Sequence, residues 1–89
     1  MARRLSFEAN AWNDYLHWQL QDRCILLRIN ELIRAVLRDP FGGIGKPEPL
    51  KRELSGCWSR RIDQTHRLVY RVRADEIEIL ACRYHYGAR

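Results

Sequence analysis

An α+β fold is what this 89-residue sequence predicts: a helical hairpin lying on one face of a small, mainly antiparallel sheet. Three observations carry that expectation. Ile25, Ile29, Leu32, Ile33, Val36 and Leu37 recur at helical spacing and form a one-sided apolar stripe. From Leu50 onward the chain reads as a succession of strands. Between the two halves, Phe41 to Pro49 holds three glycines and two prolines, which suit neither a helix nor a central strand.

Taken in order, Arg4 to Phe7 reads as a short first strand. Ser6 is a plausible N-cap for a helix from about Glu8 to Leu20, with Glu8 favourable at the positive end of its dipole. Trp12, Tyr15, Leu16 and Gln19 supply the helical spacing. Gln21-Asp22 interrupts the pattern, and Asp22 caps a second helix that ends at Asp39-Pro40. Arg28, Glu31, Arg34 and Arg38 take its polar side. Leu50 to Leu54 is a further possible strand. Trp58 to Asp63, Arg67 to Arg73 and Glu76 to His85 follow as strands, joined by Gln64-Thr65-His66 and Ala74-Asp75. Alternation sends Leu68, Tyr70 and Val72 to the helices and Arg67, Val69, Arg71 and Arg73 to the open face. The last strand is apolar on both parities, so it reads as central, with a register that alternation cannot fix.

Residues 1–89 are expected to form one domain, because so short a chain has room for a single core. The composition is 46% hydrophobic, in the globular range. No apolar run reaches membrane-spanning length and the first residues lack a secretory h-region, so a cytoplasmic protein is expected. Sixteen Lys+Arg against eleven Asp+Glu give a net charge of +5, which suits a nucleic-acid partner. All but Lys46 and Lys51 of these cations are arginines, whose guanidinium forks match phosphate. Cys24, Cys57 and Cys82 are odd in number and contain no C-x-x-C pair, so neither a disulfide framework nor a zinc site is indicated.

The chemistry-bearing residues sit in two places. Glu48 lies between Pro47 and Pro49, which stiffen its backbone and hold it extended. An exposed glutamate is ordinarily a solvated carboxylate; the two prolines and the special loop single this one out. At the other end, Cys82-Arg83-Tyr84-His85-Tyr86 holds an imidazole between two phenols, and histidine can give up a proton near neutral pH. Arg60, Arg61 and Arg67 add fixed cations. Parity separates Arg60, which goes with Trp58 and Ile62, from Arg61, so the two cannot line one site. Lys51 follows Glu48 at a three-residue interval, within reach of a phosphate, and Arg83 shares parity with His85. Tyr84 and Tyr86 are able to stack on a base, with strand-end packing the plainer role for Tyr84. His17 reads as a surface residue and His66 as a turn residue. A base, an acid and fixed cations are what metal-free cleavage of an RNA phosphodiester requires, and no metal or other cofactor is called for.

Several collinear motifs carry a resemblance. Asn30-Glu31-Leu32-Ile33, Gly45-Lys46-Pro47-Glu48-Pro49-Leu50-Lys51, Trp58-Ser59-Arg60-Arg61-Ile62, His66-Arg67-Leu68-Val69-Tyr70 and Ala81-Cys82-Arg83-Tyr84-His85-Tyr86 resemble the YoeB-type toxins of the RelE superfamily, over nearly the whole chain. The resemblance implies a small ribonuclease, related in fold to the microbial RNases, that cleaves mRNA in the ribosomal A site and is held inactive by a YefM-like antitoxin. It implies Glu48 as general base, His85 as general acid and Arg67 as stabiliser of the phosphorane. Lys51 and Arg61 become auxiliary cations and Tyr86 a substrate-positioning group. The family pattern closes at the equivalent of Tyr86, whereas Gly87-Ala88-Arg89 follow here and Arg89 adds a cation.

Two further expectations stand beside this one. Related toxins of the same fold act without catalysis, by binding DNA gyrase; Glu48 and His85 weigh against that alternative. In such systems the antitoxin complex also binds its own promoter, so promoter DNA is expected as a partner only through that complex. Trp12, Tyr15 and Trp18 on the helical hairpin are expected as core or homodimer contacts rather than as an RNA platform.

Overall fold

The computed structural model describes residues 3–84. In chain order the elements are β1 (Arg4–Phe7), α1 (Ala9–Gln21), α2 (Arg23–Arg38), β2 (Glu48–Pro49), a 3-10 turn (Arg52–Leu54), β3 (Cys57–Arg61), β4 (Arg67–Val72) and β5 (Glu76–Ala81). The strands form one sheet in the order β1-β5-β4-β3-β2. β1 runs parallel to β5, and every other neighbouring pair is antiparallel. The fold is therefore the expected α+β arrangement.

The hairpin follows from local chemistry. The Asp22 carboxylate accepts the Ile25 N–H at 3.1 Å and so closes the first turn of α2. Asp39 ends that helix directly before Pro40. Ser6 does not cap α1, contrary to expectation. It stays extended in β1, opposite Glu78, and its hydroxyl donates to the Glu76 carboxylate. Glu8 holds the cap position without a side-chain bond. The buried face of α1 is also rotated from the spacing read in the sequence. Ala11, Asp14 and Trp18 are buried, whereas Trp12 is 48% exposed. The rotation has a cause: Asp14 and Trp18 both bond the main chain of Cys82 beyond β5.

The main core lies between the helices and the sheet. Ile29, Leu32 and Val36 of α2 meet Leu68, Tyr70, Ile77 and Ile79, all fully buried. Leu50, Cys57 and Val69 make a second, smaller cluster with Leu54, Leu80 and Ala81. By register these groups lie on the face away from the helices, under the 3-10 turn. Leu50–Leu54 is thus not a strand: Arg52 (φ 60°) and Gly56 (φ 91°) turn the chain, and the Leu50 N–H bonds the Cys57 carbonyl at 2.9 Å.

The two-sided apolarity of the last strand has a specific origin. β5 lies inside the sheet, flanked by β1 and β4, but the central place expected for it is held by β4. Val69 pairs with Ala81 and Tyr70 with Ile79, so Leu80 has no opposite number and the ladder bulges there. The bulge moves the apolar parity from Ile77 and Ile79 to Cys82, all three of which join the main core, and leaves Leu80 and Ala81 for the small cluster. The strand ends at Ala81, four residues short of the expected limit. Among the described residues no helix is long and apolar enough to cross a membrane.

Candidate active site

β2 is only two residues long, and it is the strand that carries Glu48. Glu48 stands opposite Ser59, which pairs in turn with Val69. In the next step of the same face Arg61 stands opposite Arg67. The face is the one turned away from the helices, and a cavity of about 330 Å³ opens on it. Lys46, Pro47, Glu48, Pro49, Ser59, Arg61 and Arg67 line it. Three cations thus surround one carboxylate, so the cavity favours an anionic ligand. A larger hollow of about 570 Å³ runs along α2, but its charged residues, Glu31 and Asp39 with Arg34 and Arg38, balance in sign.

The loop that delivers Glu48 is anchored from below by a buried arginine. Arg60 is fully buried and points into the helix side of the sheet, as its parity with Trp58 predicts. Its Nε donates to the Tyr70 hydroxyl at 3.0 Å. One terminal nitrogen donates to the Ile44 carbonyl at 2.9 Å, and the other to those of Asp39 and Gly42 at 2.7 and 2.8 Å. The Tyr70 hydroxyl then donates to the Pro40 carbonyl at 2.7 Å. A charged fork therefore satisfies the irregular backbone that precedes Glu48. Burial pushes the Tyr70 phenol above its usual range, while the bond from Arg60 and its charge pull the other way. Gly45 completes the anchor. Its φ is +87°, its carbonyl accepts the Arg61 N–H at 2.7 Å, and a Cβ there would meet a Leu32 methyl at 2.7 Å.

The remaining expected site residues fall differently. Glu48 is exposed and forms no hydrogen bond or ion pair among the described residues, so its carboxylate is available. Arg61 is exposed at the cavity. One terminal nitrogen of Arg67 donates to the carbonyls of Asp63 and His66, at 2.7 and 3.1 Å, which holds the β3–β4 turn. Lys51 is exposed just before the 3-10 turn and does not line the cavity. Arg83 is half-buried, with its guanidinium 4.7 Å from the Tyr84 ring centroid. His85 and Tyr86 lie outside the described residues. The expected row of open-face guanidinium groups is shorter than alternation implies: Arg71 and Arg73 share Glu78, at 3.0 and 3.5 Å, and Val69 is covered.

Three neighbours of the site were not expected from the sequence. Lys46 has φ 53° and takes the place at the cavity that Lys51 does not; its position directly before Pro47 was the available signal. Ser59 shares the parity of Arg61. His66 bonds the main chain of Tyr84, eighteen residues away, for which no local signal exists.

Residues 7–86 match the family described as YoeB-like toxin of bacterial type II toxin-antitoxin system. The chain belongs to this family. It is 57% identical over 83 residues to a curated relative, Toxin YoeB of Streptomyces coelicolor, covering 93% of this chain and 99% of that one. Two solved structures from Staphylococcus aureus are each 42% identical and covered across 97% of this chain and 100% of theirs. One is a YoeB dimer, with a TM-score of 0.89; the other is a heterotetrameric YoeB-YefM toxin-antitoxin complex, with a TM-score of 0.86. The chain is thus a toxin of a type II toxin–antitoxin system.

Proposed function

We propose that this toxin is a ribosome-dependent mRNA endoribonuclease, cutting in the A site and so stopping translation. The observation that carries the reading is the unpaired Glu48 carboxylate held in register beside Arg61 and Arg67, with Lys46 completing a cationic rim. Glu48 takes the proton of a ribose 2′-hydroxyl, and that oxygen attacks the adjacent phosphorus. His85 protonates the departing 5′-oxygen as the P–O5′ bond breaks. A 2′,3′-cyclic phosphate and a 5′-hydroxyl result, with no net consumption of water in this step. Arg67 faces the equatorial oxygens, with Arg61 and Lys51 as auxiliary cations and Arg83 and Tyr86 as contacts to RNA. Acid, base and fixed charge each supply ~10²–10⁴-fold in such reactions.

The partners in this reading are mRNA with the surrounding rRNA, and a YefM-like antitoxin that keeps the toxin inactive. The S. aureus complex with YefM supports the antitoxin, and the S. aureus dimer supports self-association. The proteins of this system act in the cytoplasm, where ribosomes are, and contact promoter DNA only through the antitoxin complex.

Primer extension on a translated mRNA tests the reading, with wild type, Glu48→Ala and His85→Ala in the same extract. Cuts at the A-site codon are expected for wild type and absent from both variants. Arrested translation without wild-type cuts, or undiminished cutting by either variant, would overturn it. The first of those results, with DNA gyrase protected by the toxin's removal, would mark a binding toxin instead.

A further inference from the structure

The segment that leads into His85 is fastened by its main chain at Cys82 and at Tyr84. The Cys82 N–H donates to the Asp14 carboxylate at 3.0 Å, and the Cys82 carbonyl accepts the Trp18 indole N–H at 2.8 Å. Its thiol lies 3.7 Å from the Ala11 carbonyl. Two residues on, Tyr84 takes a left-handed backbone with φ 65°, which an L residue adopts only where its surroundings enforce it. The enforcement comes from the β3–β4 turn. The Tyr84 N–H donates to His66 Nδ1 at 2.8 Å, and its carbonyl accepts the Arg67 N–H at 3.0 Å. The His66 ring is itself packed edge-on against Trp18, with centroids 4.8 Å apart, and lies 5.9 Å from the Tyr84 ring. The Asp63 carboxylate accepts the His66 N–H.

His85 follows Tyr84 directly in the sequence, and the Tyr84 N–H and carbonyl are held by His66 and Arg67. We infer that His66 is a positioning residue: its Nδ1, unprotonated, seats the Tyr84 peptide, the last described step before the proposed acid His85, and cleavage depends on that seat. This rests on the reading of His85 as the acid. Only a neutral imidazole with its proton on Nε2 accepts at Nδ1. A misplacement of about 1 Å at a reacting group costs on the order of 10²-fold in rate. His66 thus acts through another residue and touches no reacting atom.

The acceptor atom distinguishes this role from plain packing. His66→Asn keeps an oxygen near the Nδ1 position, whereas His66→Leu keeps bulk and loses the acceptor. The test compares wild type, both variants and His85→Ala in single-turnover cleavage on programmed ribosomes, and measures amide exchange at Tyr84. With His66→Leu, the cleavage rate is expected to fall by about tenfold or more at unchanged ribosome affinity. The Tyr84 amide should exchange about three- to tenfold faster, as loss of one hydrogen bond implies. His66→Asn should restore both to within a few-fold of wild type. The inference is overturned if His66→Leu cuts at the wild-type rate, or if His66→Asn is as impaired as His66→Leu. It is equally overturned if Tyr84 exchange does not change. Failure of the acid assignment looks different: His85→Ala would still cut while Tyr84 exchange still responded to His66.

Discussion

Replacing Arg60 by methionine should remove a large share of the toxin's stability. The guanidinium makes four hydrogen bonds, three to backbone carbonyls and one to a phenol. Bonds from a charged group contribute ~1.5–3 kcal/mol each, so the gross loss is roughly 6–12 kcal/mol. Returning a buried cation to water offsets several kcal/mol of that. A buried ion pair can often be exchanged for apolar side chains at no cost, because both partners leave together. Here three of the acceptors are main-chain carbonyls, which no side-chain substitution removes. A net loss of about 2–4 kcal/mol follows, against a total of ~4–13 kcal/mol for a chain of this size. Thermal unfolding by circular dichroism should show Tm lower by about 10–25 °C. Urea melts should show a lower midpoint with an unchanged slope. Arg60→Lys should recover only part, since one ammonium cannot reach acceptors spread around a planar fork. A methionine variant within about 0.5 kcal/mol of wild type would refute the argument, since that is the range of ordinary surface substitutions.

Three smaller effects follow from the same surroundings. The Tyr70 pKa is raised on folding, chiefly by burial, so above pH 10 the unfolded chain loses its phenolic proton first. The contribution of Tyr70 is fully present below that pH and declines as pH rises through it; urea melts between pH 9 and 11 should show the decline, and Tyr70→Phe should lack this part of it. Gly45→Ala forces a Cβ against Leu32 at positive φ, whereas Gly56→Ala at φ +91° meets open space. Chemical denaturation should rank the two, with Gly56→Ala costing ~1–2 kcal/mol and Gly45→Ala more. Asp22→Ala removes the cap of α2 and should cost about 1 kcal/mol in the same assay, with equal effects on folding and on no part of the cavity.

The elements were legible where one local rule decided them. The stripe from Ile25 to Leu37, the Asp22 cap and the Asp39-Pro40 stop fix α2 without reference to anything distant. Parity separated Arg60 from Arg61, and the structure puts one in the core and the other at the cavity. The misreadings share a different cause, namely pairing across the chain. Ser6 is an excellent cap by type, yet β1 pairs with β5 through Phe7 and keeps it in a strand. Leu50 to Leu54 has the alternation of a strand, but the positive φ of Arg52 and Gly56 turns it over the small cluster. The bulge at Leu80 leaves no trace in composition; it shows only once Val69 has chosen Ala81. Lys46, not read as a site residue from the sequence, lines the cavity because the chain turns at its positive φ, while Lys51 stands beside the cavity at the start of the 3-10 turn.

The precision of the Glu48 position does not come from β2 itself. Two paired residues, one of them a proline without an N–H, are too little ladder to fix a register, and a slip of one residue would send the carboxylate to the helix side. The register is held from both flanks. Upstream, the Gly45 carbonyl accepts from Arg61 while Arg60 gathers the carbonyls of Asp39, Gly42 and Ile44. Downstream, the Leu50 N–H bonds Cys57 and its side chain fills the cluster with Cys57 and Val69. The apolar cluster on the otherwise polar face is therefore part of the site: it plugs one end of a short edge segment whose other end is tied to a buried cation. An exposed, unpaired carboxylate among three cations would otherwise relax toward one of them. Anchoring both sides of its backbone keeps it apart, which is the condition that the proposed general-base role would need.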